Sequence, residues 1–328
     1  MVFDRRITAA LIAAGIFTAT PITAAFAWDA DGHEQVADIA WTRLTPAAKS
    51  KITAILNGAL EPGYRPIGTS DFDARRAFRE AAVFPDEIKR ATSAPAYAAT
   101  VESENHAFAI ALPADNAEAI RCKTWHYYDT PIRLPKGAAT PTIDPSNALA
   151  ALTRAEDKLK SLVADGKDPG MQFWYLAWIE HVVGDLHQPL HCVSSYEFSP
   201  TGDAGGNGFH LAPDALTGRS SSLHSLWDGG ITHAADYKGS PSRAYEAVTA
   251  RWTADATLQP SETDATNVDI KSWIDSSAHL ADTVVYAGLT RDQAAPDDYL
   301  KRKDDLCRHQ AVLAGHRLAA VLNSLLVP

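Results

Sequence analysis

The spacing of apolar residues is helical along most of the chain. Apolar positions recur three and four residues apart over 268–287 and over 296–326, which is the spacing of a helix that buries one face. Alternation of the strand type is scarce, and residues 101–112 are compatible with either a short β-hairpin or a loop excursion. The pattern therefore predicts an all-α protein, built as a single domain of packed helices.

Further helices are predicted from their start signals. Thr45-Pro46, Asp144-Pro145 and Ser240-Pro241 each combine a typical N-cap residue with a proline at the first helical position. Loops of more than about 12–15 residues in a compact domain are often functional. Long connections are predicted near 58–72, 91–125 and 192–222.

One strongly apolar segment carries a His and an Asp. The run FWYLAWI at 173–179 is apolar on nearly all sides of the predicted helix, so this helix is expected to be central and buried. His181 and Asp185 follow four residues apart and therefore lie on one face. Burying both is costly unless they pair with each other or bind a metal ion, and the segment alone leaves both alternatives open. Pro189 is expected to end the helix, so that His191 points in a new direction.

The same residue types recur elsewhere in the chain. His224 and Asp228 are again four residues apart, and His33 and His126 add two imidazoles. Asp86 follows a proline directly and is expected near the start of a helix. Imidazole with carboxylate, and without thiolate, is a donor set of hydrolytic zinc sites. The recurrence therefore favours metal binding over an isolated His–Asp hydrogen bond.

Residues 1–27 have the pattern of a secretory signal peptide. Two arginines precede an apolar run, and the segment closes on Ala25-Phe26-Ala27, which is the small-x-small pattern of a cleavage site. The alternative is a transmembrane anchor, but the apolar run is too short for a span and is interrupted by Pro21. We therefore expect a mature domain over 28–328, secreted or periplasmic, with no membrane span.

Cleavage after residue 27 would leave Trp28 at the front of the mature chain, five residues before His33. An α-amino group has a pKa of about 7.7–8.0, so a metal ion displaces its proton readily near neutral pH. The amine and carbonyl oxygen of Trp28 could then chelate a metal ion together. The alternative is an ordinary aromatic residue near a chain end.

Charge and cysteine content narrow the functional classes. The formal net charge is −10, so the chain lacks the basic surface that drives general nucleic-acid binding by counterion release. A phosphate substrate would need positive charge from another source, and metal ions are one such source. Cys122, Cys192 and Cys307 allow at most one disulfide, and the sequence does not select the pair.

These segments together resemble the secreted zinc-dependent single-strand nucleases of fungi, plants and bacteria, also called type I nucleases or 3′-nucleotidases. That family shares an all-α fold and a trinuclear zinc cleft with the zinc-dependent bacterial phospholipases C. The resemblance is carried by Trp-x4-His at 28–33, PDEI at 85–88, WHYYD at 125–129, HVVGDLHQPLH at 181–191, GGNGF at 205–209 and LHSLWD at 223–228.

The resemblance implies three zinc ions and a set of ligands for each. It also implies that Asp185 bridges the first two ions. The first ion would be bound by Asp86, His126, His181 and Asp185; the second by the Trp28 amine and carbonyl, His33 and Asp185; and the third by His191, His224 and Asp228.

Substrate-binding residues follow from the same resemblance. Lys89 stands where the family has a basic residue near the scissile phosphate. Tyr127 stands where an aromatic ring stacks on a base, and Asp129 where a carboxylate contacts a base edge. Asn207 matches a motif residue that lines the cleft. The residues expected to carry catalysis are Asp86, Lys89 and Asp185.

The expected function is a zinc-dependent endonuclease that cleaves single-stranded DNA and RNA to 5′-phosphorylated products, with 3′-nucleotidase activity on 3′-mononucleotides. We expect a monomer without an obligate protein partner. A phospholipase C is the first alternative, although the short gap from Trp28 to His33 and the last ligand pair, His-x3-Asp, are those of the nucleases. A non-catalytic zinc-binding protein is the second, and Lys89 and Tyr127 argue against it.

Overall fold

The structure, a computed structural model, describes residues 28–59, 73–93, 122–213, 221–231 and 241–327, without the side chains of 87–93, Cys122 and 241–243. The predicted signal peptide and the predicted hairpin at 101–112 lie outside the described residues. Most of the two predicted connections, 58–72 and 91–125, also lies outside them. The α-helices are α1 (Ala30–Arg43), α2 (Pro46–Ala59), α3 (Ala74–Ser93), α4 (Ala148–Asp165), α5 (Pro169–Asp185), α6 (Leu223–Asp228), α7 (Pro241–Ala254), α8 (Glu262–Thr266), α9 (Ile270–Leu280) and α10 (Asp297–Leu326).

Helix α5 lies at the centre of the helical packing. Every residue from Phe173 to Asp185 is buried, and α5 packs against α2, α3, α4 and α10. Helix α1 packs mainly against α3 and α10, and it also contacts α5. The predicted all-α fold, with a central buried helix, is therefore confirmed. Among the described residues, no helix combines the length and apolar character needed to cross a membrane.

The two strands in the described part of the chain form a small parallel pair. Strand β1 (Thr130–Ile132) pairs with β2 (Val193–Ser195), with Thr130 opposite Val193. The 3₁₀ helix Cys122–His126 precedes β1, and the 3₁₀ helix Pro189–Cys192 precedes β2. Because the strands pair, the segments that carry His126 and His191 enter the centre of the protein side by side.

Helix starts were predicted with mixed success. Thr45 caps α2, where its Oγ1 accepts a hydrogen bond from the Ala48 amide at 3.2 Å. The start predicted at Asp144-Pro145 is wrong by three residues, because Asn147 is the N-cap of α4 and its side chain accepts from the Ala150 amide. The helix predicted over 268–287 is α9, which continues as a π-helical turn over Ala281–Val285.

The expected helix start at Asp86 is also wrong. Pro85 and Asp86 lie inside the 20-residue helix α3. A proline in a helix interior removes one backbone hydrogen bond and disturbs the turn before it. In that turn the carbonyl of Ala82 accepts a hydrogen bond from His181 Nδ1 at 2.8 Å, so tertiary contact joins the disturbed turn to helix α5.

Candidate metal centre

Helix α5 supplies the two central side chains of the site. His181 and Asp185 are fully buried and one helical turn apart, with His181 Nε2 at 3.3 Å from Asp185 Oδ2. Most of the other buried residues of α5 are apolar, so its packing places hydrophobic side chains next to the pair. The predicted common face of His181 and Asp185 is confirmed.

Three groups of potential metal ligands meet around this pair. Within each group, one ligand atom per residue lies within 4.8 Å of the others. The first group is Asp86, His126 and His181; the second is His33, His181 and Asp185; the third is His191, His224 and Asp228. All their members are buried.

The first group brings together α3, α5 and the 3₁₀ helix before β1. His181 Nε2 lies 2.9 Å from His126 Nδ1, and both nitrogens lie 3.7 Å from Asp86 Oδ1. His126 Nδ1 also lies 3.2 Å from Asp185 Oδ2. Two carboxylates and two imidazoles therefore face a common point, as the resemblance implied for one ion.

The second group joins the start of α1 to α5. His33 Nε2 lies 3.4 Å from Asp185 Oδ1, and its ring stacks on His181 with centroids 3.8 Å apart. His33 is fully buried, yet neither of its ring nitrogens makes a hydrogen bond. An unsatisfied buried nitrogen costs roughly 1–3 kcal/mol, and a cation beside Asp185 would satisfy Nε2.

Asp185 uses its two oxygens in different directions. Oδ2 faces His126 and His181, whereas Oδ1 faces His33. Although burial raises the pKa of this carboxyl, the charges of His181 and His191 and the hydrogen bond with His126 outweigh it and hold the pKa well below its usual range. Asp185 is therefore an ionised carboxylate between the first two groups.

The third group lies at the end of this arrangement. His224 Nε2 is 3.3 Å from Asp228 Oδ2, and His191 Nε2 is 3.9 Å from Asp228 Oδ1. Gln188 Nε2 donates a 2.7 Å hydrogen bond to Asp228 Oδ1. His191 Nδ1 also lies 3.7 Å from Asp185 Oδ1, which places the third group next to the second.

Backbone carbonyls fix the orientation of three imidazoles. The Nδ1 atoms of His181, His191 and His224 donate to the carbonyls of Ala82, His126 and Gly205, at 2.8, 2.8 and 2.6 Å. This leaves each Nε2 as the acceptor that faces its group, which is the usual arrangement for a metal-binding histidine. The residues present therefore fit divalent metal ions in both donor chemistry and orientation.

Burial and charge perturb the two stacked histidines in opposite directions. Burial and the neighbouring His181 lower the pKa of His33. For His181, burial lowers the pKa, but the carboxylates of Asp185 and Asp86 raise it by more. The pKa values of two adjacent imidazoles are thus shifted in opposite directions, and perturbed pKa values are a frequent feature of functional sites.

The residues predicted to bind substrate differ in their burial and in their contacts. Tyr127 is half-buried directly after His126, and its carbonyl accepts from the Ala148 amide at 2.9 Å. Burial, with Asp203 and Asp144 nearby, raises the pKa of Asp129 to about 6. Asn207 donates its amide to the Ala204 carbonyl in its own turn at 2.7 Å. Lys89 lies in α3, and its side chain lies outside the described residues.

Some supporting groups were not predicted from the sequence. They are Gln188, which binds Asp228, and the carbonyls of Ala82 and Gly205. A backbone carbonyl has no sequence signal, although Gln188 stands inside the HQPLH run. His187 is outside all three groups, and its Nε2 lies 3.0 Å from the Arg317 guanidinium.

The one disulfide that the three cysteines allow is not confirmed. Cys192 and Cys307 are both buried free thiols. Burial raises the pKa of Cys192 above its ordinary value, and that of Cys307 to about 12. Both are therefore neutral packing residues near neutral pH.

Three proteins named as nucleases are similar to part of this chain. Nuclease S1 of Aspergillus oryzae is 27% identical over 161 residues, covering 45% of this chain and 53% of the nuclease. Endonuclease 4 and Endonuclease 2 of Arabidopsis thaliana are 30% and 26% identical over 159 residues, covering 45% of this chain and 49% and 50% of those proteins. The chain spans about half the length of the relatives it matches.

A family comparison covers far more of the sequence. The model of the S1/P1 nuclease family matches residues 28–327, a range that contains all three ligand groups. The match begins at Trp28 and ends one residue after α10. This chain therefore belongs to the S1/P1 nuclease family.

Proposed function

We propose that this protein is an endonuclease that hydrolyses phosphodiester bonds of single-stranded DNA and RNA, releases 5′-phosphorylated products and also removes phosphate from 3′-mononucleotides. The observation that carries the proposal is the meeting of three His/Asp groups in a member of the S1/P1 nuclease family. The names of the relatives, Nuclease S1 and Endonuclease 4, support a nucleic acid as substrate.

We infer that the three groups bind three zinc ions. Imidazole nitrogens with carboxylate oxygens, and without a thiolate, favour zinc in a hydrolytic role. The second ion would take Asp185, His33 and the amine and carbonyl of Trp28. Zinc ions at these positions supply Lewis-acid charge, which lowers the pKa of water and neutralises a phosphoryl group.

The chain's own residues position the reacting groups. Asp185 directs its two oxygens to the first and second groups, so it would fix the spacing of their ions. Lys89 would contact the oxygens of the scissile phosphate, where a cation stabilises the charge that builds up in the transition state. Asp86 would complete the first group on the side of helix α3.

The preference for single strands follows from the base contacts. A phosphate reaches the buried groups only if the strand bends inward and one base leaves its stack. Tyr127, half-buried directly after His126, would receive that base. Stacking on an aromatic ring is worth roughly 1–3 kcal/mol and tolerates every base. Asp129 would contact the base edge, and Asn207 would line the cleft.

Activity on three substrates tests this function. The protein beginning at Trp28 is incubated with single-stranded DNA, RNA and phosphatidylcholine vesicles, each with and without a chelator, and the products are identified. We expect chelator-sensitive release of 5′-nucleotides from both nucleic acids and little lipid turnover.

The other outcomes would each replace the proposal. Lipid turnover without nucleotide release would identify a phospholipase C. Full zinc content without hydrolysis of any phosphoester would identify a zinc-binding protein. Products with 3′-phosphates would contradict the proposed direction of cleavage. A protein fused to extra residues before Trp28 is the control for the free amine, and it should bind less zinc.

A further inference from the structure

A groove that none of the ligand groups lines lies at the start of helix α4. Its volume is about 680 Å³, within the range of roughly 300–1,000 Å³ that small-molecule sites occupy. One wall is apolar and includes Ile143, Pro145 and Leu149. The aromatic ring of Tyr128 and the cationic side chains of Arg154 and Lys158 line it as well.

Backbone hydrogen bonds connect this groove to the candidate metal centre. The amide of Tyr128 donates to the carbonyl of His191 at 2.8 Å. The amide of Ala148, at the start of α4, donates to the carbonyl of Tyr127 at 2.9 Å. The groove therefore begins next to the residue that is proposed to stack on a base, and a strand could reach both.

The charges of the groove differ from those of the whole protein. Arg154 and Lys158 are exposed and one helical turn apart on α4, whereas Asp157 is the anion among the lining residues. The chain as a whole carries a formal net charge of −10. The guanidinium of Arg154 lies 5.8 Å from the Trp125 ring centroid, which favours one orientation of this cation. Anions should therefore prefer the groove to most of the surface.

We propose that this groove binds a further nucleotide of the substrate strand, next to the nucleotide that occupies the metal centre. The nucleobase would lie against Tyr128 and the apolar wall, since an aromatic face accepts any base. The phosphate would lie between Arg154 and Lys158. This inference rests on the proposed nuclease function. It adds that the affinity of the protein for a single strand depends on the length of that strand.

Substrate length and salt together test the groove. The KM of the zinc-loaded protein is measured for oligothymidylates from the dinucleotide to the hexanucleotide, at several salt concentrations. We expect KM to fall once the strand is long enough to reach the groove. Lys158→Ala should make that fall smaller, because one of the two cations that contact the phosphate is lost. It should also reduce the slope of log(kcat/KM) against log salt by about 0.7, the contribution of one phosphate contact on a single strand.

Matched variants separate a specific contact from general charge. Lys160 is exposed on the same helix but does not line the groove, so Lys160→Ala should retain the wild-type length dependence. Lys158→Arg should restore it, because the cation is kept. Equal length and salt dependence in wild type and Lys158→Ala would overturn the proposal, as would equal effects of Lys158→Ala and Lys160→Ala.

Failure of the groove and failure of the nuclease function are distinguishable. Hydrolysis of oligothymidylates without any effect of Lys158→Ala rejects the groove alone. Should the protein hydrolyse no nucleic acid, the nuclease function is rejected. Hexathymidylate then stays intact, and its binding to the protein is measured directly. Weaker binding by Lys158→Ala than by wild type supports the groove, and equal binding rejects it.

Discussion

The indole nitrogen of Trp28 donates a 3.0 Å hydrogen bond to the carbonyl of Gly184, the residue before Asp185. Trp28 is fully buried, so the segment before α1 is fixed against the end of α5. A Cβ atom on Gly184 would lie 2.8 Å from His33 Nδ1. The absence of a side chain at Gly184 is therefore what lets His33 approach Asp185.

Gly184→Ala should displace His33 without changing a potential ligand. We expect weaker zinc binding in the second group and at least about a tenfold loss of activity, since ligand orientation controls metal affinity. Gly170→Ala in the same helix is the control, because its Cβ would meet only Asp168 Oδ1 at 3.6 Å. Zinc titration and kcat measurements on both variants check this. Full zinc content in Gly184→Ala would contradict the steric argument.

Asp185→Asn should disturb two ligand groups at once, because Oδ1 and Oδ2 face different groups. We expect lower zinc stoichiometry and a loss of activity of about 100-fold or more, larger than the loss in Lys89→Ala. Elemental analysis of the purified variants, with kcat/KM on single-stranded DNA, provides the measurement. Small and equal losses in both variants would show that Asp185 does not connect the groups.

Tyr127→Ala should weaken substrate use and leave the metal centre intact. Loss of stacking worth roughly 1–3 kcal/mol corresponds to a fall in kcat/KM of about 5- to 150-fold. Tyr127→Phe keeps the ring and should retain most of the activity. Zinc content is measured alongside the kinetics, and loss of zinc from Tyr127→Ala would mean that the residue supports the ligands instead.

Glu156 on α4 should make stability depend on pH. Burial, and then Asp157, raises the pKa of its carboxyl to about 7, and its Oε1 is buried without a hydrogen bond. The folded state holds the proton more tightly than the unfolded state. Ionisation of Glu156 therefore causes no loss of stability below about pH 4.5. The loss grows as the pH rises from about 4.5 to about 7, and it levels off above that.

Glu156→Gln stays neutral and should remove that loss. At pH 8 we expect the variant to be more stable than wild type by about 1–2 kcal/mol, a value that allows for solvent screening of a partly exposed group. At pH 4.5 we expect the two proteins to be similarly stable. Urea unfolding at both pH values measures the difference. Asp165→Asn, at an exposed position on the same helix, is the control. A constant difference across the pH range would reject the assignment.

Much of the local structure was predictable because helices are specified by nearby residues. The periodicity over 296–326 predicted α10, which runs from Asp297 to Leu326. Thr45-Pro46 predicted the start of α2 for the same reason. Asp144-Pro145 failed as a start because Asn147 offers a competing cap three residues later. Capping residues are common, and packing of the following turn selects among them.

The sequence by itself determined which residue types form the candidate centre. His181 with Asp185, and His224 with Asp228, are four residues apart, and helix geometry alone places each pair on one face. Only the tertiary structure decided which pairs share a centre. The parallel pairing of β1 and β2 sets His126 beside His191, α3 brings Asp86 to α5, and distant carbonyls orient the imidazoles. Such contacts join segments far apart in sequence, so they depend on packing of the whole chain and leave no local pattern.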